Sequence, residues 1–319
     1  MKCPMCSSKQ NFKAGGMTCQ SCGYEYKVDP KSSQPNDGFI VAAARNVSGD
    51  GTYHFTTNQV ITQLDRKMHK KSRRSLLVRV AILVGGVVAA FVFANPVILV
   101  VSGIALVAVI INLLARPEAG PPRLIMSVLE ALPEESSVAG LLITKPTLHE
   151  PPPEWGESDI YDYGVERILI VERDELVDLF VLNGWHSENR ALVVSMSGYP
   201  DYITERVSEL LDESPDLPVF VLHDSTFQGV DSAEWLQESD VFDLADRQLI
   251  DMGLTPSMAN RMNCIKRLSG KLRNSGEVPV DYIPYGQLSA LVARRCSMTK
   301  SDEANDGDID GIIVCTDFG

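Results

Sequence analysis

From Val80 to Ala115 the chain carries no charged side chain. The stretch, VAILVGGVVAAFVFANPVILVVSGIALVAVIINLLA, is longer and more apolar than a buried core helix, and it predicts a membrane segment within 75–116. One straight helix of these 36 residues would run about 54 Å at ~1.5 Å per residue, well beyond a hydrocarbon core of ~30 Å. Asn95-Pro96 lies near the midpoint and favours a turn, because proline lacks the amide donor and restricts the residue before it. A transmembrane helical hairpin is therefore expected ahead of a single tilted, kinked span. Arg66, Lys67, Lys70, Lys71, Arg73 and Arg74 crowd its amino-terminal side, and Arg116 and Arg123 follow it. By the positive-inside rule both termini are expected in the cytoplasm, with membrane lipid as a partner of the basic flank.

The charge divides along the same lines. Residues 1–74 hold 12 basic and 5 acidic side chains, whereas residues 117–319 hold 15 basic and 37 acidic ones. The apolar share of 45% excludes a disordered chain, and the net charge of −13 excludes a generally basic nucleic-acid coat protein. Six segments follow: 1–30, 31–74 ending in the basic juxtamembrane run, the hairpin at 75–116, 117–158 with a helix and a proline-rich linker, 159–300, and an acidic tail at 301–319 expected to be disordered.

Segment 1–30 contains Cys3-Pro-Met-Cys6 and Cys19-Gln-Ser-Cys22-Gly. Two C-x2-C knuckles can surround a tetrahedral Zn²⁺, and four thiolates fill every position, so Cys3, Cys6, Cys19 and Cys22 predict a structural zinc ribbon. The competing reading, two disulfides, needs an oxidising compartment and conflicts with the expected orientation. Segment 31–74 reads as a small α+β unit, with FIVAAARNV (39–47) strand-like, TYHF at 52–55, and a helix starting near Thr57.

Segment 117–158 opens with a helical run at 123–132 and strand-like GLLIT at 140–144, then enters a linker with Pro151, Pro152 and Pro153 in succession. Segment 159–300 alternates apolar strands at 167–172, 190–198 and 218–224 with helices at 173–184 and 199–214. Strands without polar alternation, separated by helices, predict an α/β fold with a parallel sheet covered on both faces. Sites in such sheets form at the carboxyl ends of the strands. Those ends are Glu172, the turn Ser197-Gly198-Tyr199-Pro200-Asp201, and Asp224.

Over about 160–260 the chain resembles the toprim domain found in the A subunit of topoisomerase VI and in its meiotic double-strand-break relatives. The resemblance is carried by Val171-Glu172-Arg173-Asp174, by Gly198-Tyr199-Pro200-Asp201, by His223-Asp224-Ser225-Thr226-Phe227-Gln228-Gly229, and by DLADRQLIDMGLTPS at 243–257. It implies Mg²⁺ held by Glu172 and Asp224, with Asp201 a weaker third candidate. Two departures accompany it. Thr226 stands where the family's second aspartate is expected, and a hydroxyl is a much poorer Mg²⁺ ligand than a carboxylate. The family's nucleophilic tyrosine lies on an upstream winged-helix domain, whereas Tyr161 and Tyr163 here sit just before the first strand and suit packing better than attack.

Simpler readings stand beside these. Glu172 and Asp224 equally suit acceptors for the N-termini of neighbouring helices, and Gly198 and Pro200 suit a plain turn. His149, His186 and His223 are isolated in sequence. Lys266, Arg267, Lys271 and Arg273 read as a solvated face, and Cys264, Cys296 and Cys315 as reduced thiols. Two function classes result. The first, favoured by Thr226 and the acidic body, is a membrane-anchored, non-cleaving interaction or ligand-sensing module with an unidentified protein partner. The second is a Mg²⁺-dependent nuclease or phosphotransfer enzyme acting on nucleic acid through Glu172 and Asp224, a substrate that the acidic body disfavours.

Overall fold

A computed structural model describes residues 2–11, 16–29, 34–68, 122–150, 164–226, 231–244, 247–266, 268, 272 and 277–297. The amino-terminal residues form two small hairpins, bridged at Lys2–Lys9 and Thr18–Glu25. Each turn carries one C-x2-C knuckle and closes on a left-handed residue, Ser7 (φ 59°) or Gly23 (φ 78°). Asp37, fully buried, ties this element to the next: its carboxylate accepts from Tyr24 Oη at 2.9 Å and from the amides of Lys27 and Val28 at 2.7 and 3.0 Å.

Helix α1 (Asp37–Val47), strand β1 (Phe55–Thr56), helix α2 (57–68), helix α3 (Pro122–Glu130) and strand β2 (Leu142–Ile143) build the first core. Residues 39–47, expected as a strand, are therefore helical. Ile40, Ala43, Ala44 and Val47 recur at three- and four-residue spacing and are buried on one face, and Asn36 Oδ1 caps the helix by accepting from the Phe39 amide at 3.0 Å. The apolar run conceals a helical period. Val60 and Leu64 of α2 and Ile125, Val128 and Leu129 of α3 complete this core, while β1 and β2 pair in parallel, Phe55 with Leu142.

The second unit is a four-stranded parallel sheet of order β4-β3-β5-β6, formed by β3 (Arg167–Val171), β4 (Ala191–Ser195), β5 (Val219–Leu222) and β6 (Leu249–Asp251). Alternate residues divide between its faces. Leu169, Val171, Val193, Phe220 and Leu222 pack with helix α4 (Asp174–Val181), and with Leu288 and Val292 of helix α10 (Tyr285–Ser297). Ile168, Ile170, Leu192, Val194, Val219 and Val221 pack with α6 (Asp201–Glu213) and α7 (Ser232–Glu238) on the other face. Between these elements lie the short helices α5 (Trp185–Glu188), α8 (Pro256–Arg261) and α9 (Asn263–Lys266). The sequence reading of a parallel sheet covered on both faces agrees with this arrangement.

The expected membrane localisation is corrected. Among the described residues no helix is long and apolar enough to cross a membrane. The longest helices with described bounds, α6 and α10, have 13 residues, or about 20 Å at ~1.5 Å per residue. The hairpin expected at 75–116 lies outside the described residues, as do Lys70, Lys71, Arg73 and Arg74. Arg66, read as an orientation signal, has a packing role instead: its Nη2 donates to Tyr282 O at 2.8 Å and its Nε to Cys264 O at 3.2 Å, joining α2 to the second unit. Arg66→Met is expected to lower stability by about 1.5–3 kcal/mol, the range for charge-assisted bonds. A denaturant midpoint measures this, and an unchanged midpoint would make both bonds dispensable.

Candidate functional site at the carboxyl ends of the sheet

The acids singled out in the sequence lie where β3 and β5 end. The Glu172 amide donates to Leu222 O at 3.0 Å, so β3 and β5 finish together, and the Asp224 amide donates to Glu172 Oε2 at 2.6 Å. Beyond β5 the chain continues extended: Ser225 bridges Val278, its amide donating to Val278 O at 2.9 Å. That bridge delivers a 3-10 turn, Val280–Tyr282, to the site.

Asp224 is buried, and both its carboxylate oxygens have donors. Oδ2 accepts from Arg173 Nε at 2.8 Å, and Oδ1 accepts from the Val280 amide at 2.8 Å and more distantly from Arg173 Nη2 at 3.5 Å. The same Nη2 donates to Asp281 Oδ1 at 2.8 Å. Asp281, 1% exposed in its side chain, also accepts from Thr56 Oγ1 at 2.7 Å and Asn58 Nδ2 at 3.2 Å, both from the first unit. Burial pushes the Asp224 carboxyl up to about 6, with the Arg173 guanidinium pulling the other way. Arg173 is held more firmly charged than an ordinary arginine, because Asp281 and Asp224 outweigh the effect of its burial.

His223, isolated in sequence, has close neighbours here. Its Nδ1 lies 2.8 Å from Asp224 O and its Nε2 3.1 Å from Asp251 Oδ1 at the end of β6. Burial acts to lower its pKa, but Asp251 and the Asp224 carbonyl prevail and the imidazole titrates above its ordinary value. The glycine-tyrosine-proline-aspartate turn is pinned by a different group. Tyr199 Oη donates to Asp178 Oδ1 at 2.6 Å, and Asp178 Oδ2 accepts from the Thr147 amide at 2.8 Å. Gly198 takes φ 85°, the Tyr199–Pro200 peptide is cis, and Asp201 opens α6 with an exposed side chain.

Glu172 and Asp224 are joined through the Asp224 amide, and Asp201 does not complete with them a group of three ligand atoms within 4.8 Å of one another. Among the described residues the four cysteines are the one group of three or more potential metal-ligating side chains whose ligand atoms lie within 4.8 Å of one another. Mg²⁺ requires near-octahedral oxygen ligands at ~2.0–2.1 Å. The acids at the sheet do not offer that set as they stand, since Asp224 is already held by a guanidinium and an amide and Thr226 brings no carboxylate. The sequence reading does not single out Arg173 or Asp281 as a site residue. Arg173 follows Glu172 directly, which is a usable signal, whereas nothing in sequence connects Asp281 to Asp224. Tyr161, Tyr163, Phe227, Gln228, Gly229, Arg267, Lys271, Arg273 and Cys315 lie outside the described residues, as does 301–319.

Cys3 and Cys22 Sγ atoms are 3.6 Å apart, and Cys6 and Cys19 Sγ atoms 3.7 Å. Sulfurs ~2.3 Å from a tetrahedral metal ion stand ~3.8 Å apart, so this quartet can hold one. Its thiols differ in acidity: burial pushes Cys3 up to about 12, whereas a bond from the Ser8 hydroxyl draws Cys19 down to about 6.

With this geometry in hand, comparison with known proteins is specific to the sheet. Residues 167–231 match the family model of the Toprim domain shared by Spo11 and the A subunit of topoisomerase 6. Over these residues the chain is similar to a Toprim domain of that type. The A subunit of type 2 DNA topoisomerase 6 from Sulfurisphaera tokodaii is 33% identical over 71 residues, covering 22% of this chain and 18% of that protein. The corresponding protein of Hyperthermus butylicus is 33% identical over 80 residues, covering 25% and 20%. The chain therefore spans about a fifth of the length of these curated relatives. No solved structure gives a significant match.

Two glycines test how tightly the second unit is packed. A Cβ on Gly253 would stand 1.9 Å from His223 Cδ2 and Nε2, in a ring with no room to retreat. Gly253→Ala is expected to cost about 1–3 kcal/mol through overpacking. At Gly286, in α10, a Cβ would meet nothing within 4 Å, and Gly286→Ala is expected to gain up to ~1 kcal/mol of helix propensity. Urea midpoints moving in opposite directions would bear this out; equal midpoints would contradict it.

Proposed function

We propose that this chain is a non-cleaving Toprim module that serves interaction or ligand sensing, with a structural zinc ribbon at 1–30. The observation carrying this reading is the state of the acid pair. Asp224 is engaged by Arg173 and Val280, the second acid position is Thr226, and Asp201 forms no close three-acid group with Glu172 and Asp224. Phosphodiester cleavage by a metal-dependent site needs carboxylates that present free oxygens to the ion and hold it against the reacting phosphate. Here Asp224 spends both oxygens on the Arg173 guanidinium and the Val280 amide, and Glu172 spends its Oε2 on the Asp224 amide, which ties the ends of β3 and β5 together. The acidic body supports a protein partner over nucleic acid, since 37 acidic against 15 basic residues repel a polyanion at short range.

A second reading, a metal-dependent nuclease or phosphotransfer enzyme, draws support from the contact between Glu172 and Asp224 and from the DNA topoisomerase relatives. One experiment separates the two. Full-length protein incubated with supercoiled or single-stranded DNA or with RNA, in Mg²⁺ or Mn²⁺, is expected to leave every substrate intact. Metal-dependent cleavage abolished by Glu172→Ala and by Asp224→Ala would establish the enzyme reading instead.

For the ribbon, Zn²⁺ supplies a tetrahedral cross-link between two hairpins that have little apolar core of their own. Cys3, Cys6, Cys19 and Cys22 would hold it, and Ser8 would hydrogen-bond the bound sulfurs. Metal analysis is expected to find about one zinc per chain. Cys3→Ser should lose that zinc and unfold the amino-terminal hairpins, as read by the environment of Tyr24 and Tyr26. Folded hairpins without metal would overturn this assignment.

A further inference from the structure

We infer that Arg173 is the resident cation of the Toprim acid cradle: its guanidinium takes the place of a divalent metal ion and, through Asp281, fastens the cradle to the first unit. The inference rests on the non-cleaving reading and deepens it.

Two carboxylates hold this guanidinium, and a third, Glu172, holds the backbone of one of them. Asp224 and Asp281 each accept from it at 2.8 Å, and Glu172 holds the Asp224 backbone at 2.6 Å. The side chains of Asp224 and Asp281 are 5% and 1% exposed, so water cannot solvate their charge and a buried partner has to offset it. A guanidinium suits this geometry because its planar fork offers separate donors to two acids. While the arginine remains, Asp224 Oδ2 and Asp281 Oδ1 both accept from its nitrogens, and a small ion that needs oxygens at ~2.1 Å has to displace it.

Asp281 supplies the charge that Thr226 does not. It arrives from the 3-10 turn rather than from the residue pair after β5, and its other donors, Thr56 and Asn58, belong to the first unit. Gln59 Nε2 donates to Ile283 O at 3.1 Å and reinforces the same junction. A carboxylate set of the kind that elsewhere receives metal thus works here as a joint. Removing Arg173 leaves buried carboxylates unpaired, and these hard oxygen donors then draw a divalent cation from solution.

Mn²⁺ binding to the zinc-saturated full chain tests this, using the electron paramagnetic resonance signal of free Mn²⁺ and thermal unfolding with and without Mn²⁺. Wild type is expected to show no saturable binding and no Mn²⁺-dependent shift in Tm. Arg173→Met should lower the Tm, bind a single Mn²⁺ per chain and regain Tm as Mn²⁺ is added; adding Asp281→Asn should abolish the binding. Arg173→Lys, which keeps the charge, should remain blind to Mn²⁺. Saturable wild-type binding lost in Asp224→Asn, Mn²⁺ binding by Arg173→Lys, or a folded Arg173→Met that binds none would each overturn the inference. If Arg173→Met folds only when Mn²⁺ is present, that rescue supports it, and absence of rescue counts against it. A silent Arg173→Met leaves the non-cleaving reading standing, since that reading falls only to metal-dependent cleavage by wild type.

Discussion

The burial of β3 on both faces is the constraint from which the remaining geometry follows. Ile168, Leu169, Ile170 and Val171 are all fully buried, flanked by β4 on one side and β5 on the other. At roughly 1.5–3 kcal/mol for each large apolar side chain removed from water, this strand fixes the sheet's register against any slip, because a one-residue shift would exchange its two faces. Once the register is set, Glu172 must emerge beside Leu222, and the next residue, Arg173, must lie across the end of β5. The polar cluster inherits its precision from an apolar strand.

Three buried aspartates play parallel structural roles. Asp37 gathers donors from Tyr24, Lys27 and Val28; Asp178 gathers them from Thr147 and Tyr199; Asp281 gathers them from Thr56, Asn58 and Arg173. Each joins segments that the chain reaches at different times, and each is satisfied by several donors, as a buried carboxylate must be. Part of the chain's acidity is therefore internal and structural. It is not all surface charge, and it bears on partners less than the bare count of acids implies.

The sheet is legible in the sequence because β3, β4 and β5 are apolar runs of strand length separated by helical sequence, and Glu172 and Asp224 fall at its carboxyl ends for the same reason. The cysteine quartet is legible from spacing alone. Residues 39–47 read as a strand because apolar residues at nearly every position hide the three- and four-residue spacing of Ile40, Ala43, Ala44 and Val47; the cap at Asn36 is the better signal. Asp281 is silent in the sequence because its importance comes from an isolated bridge between Ser225 and Val278, a contact no local pattern announces. Arg66 belongs to a basic run and reads with it, although its bonds to Tyr282 and Cys264 give it a packing role that charge alone does not announce.

Met68 and Leu124, which stand on either side of segment 69–121, pack against the same apolar core. The core of the first unit thus draws on both sides of that segment. Closing a loop costs chain entropy that grows only as the logarithm of its length, about 0.6 kcal/mol per doubling. Joining the two sides in one core therefore adds little entropic cost for the length of chain between them, and it steadies the first unit, whose Thr56 and Asn58 anchor the cradle at Arg173.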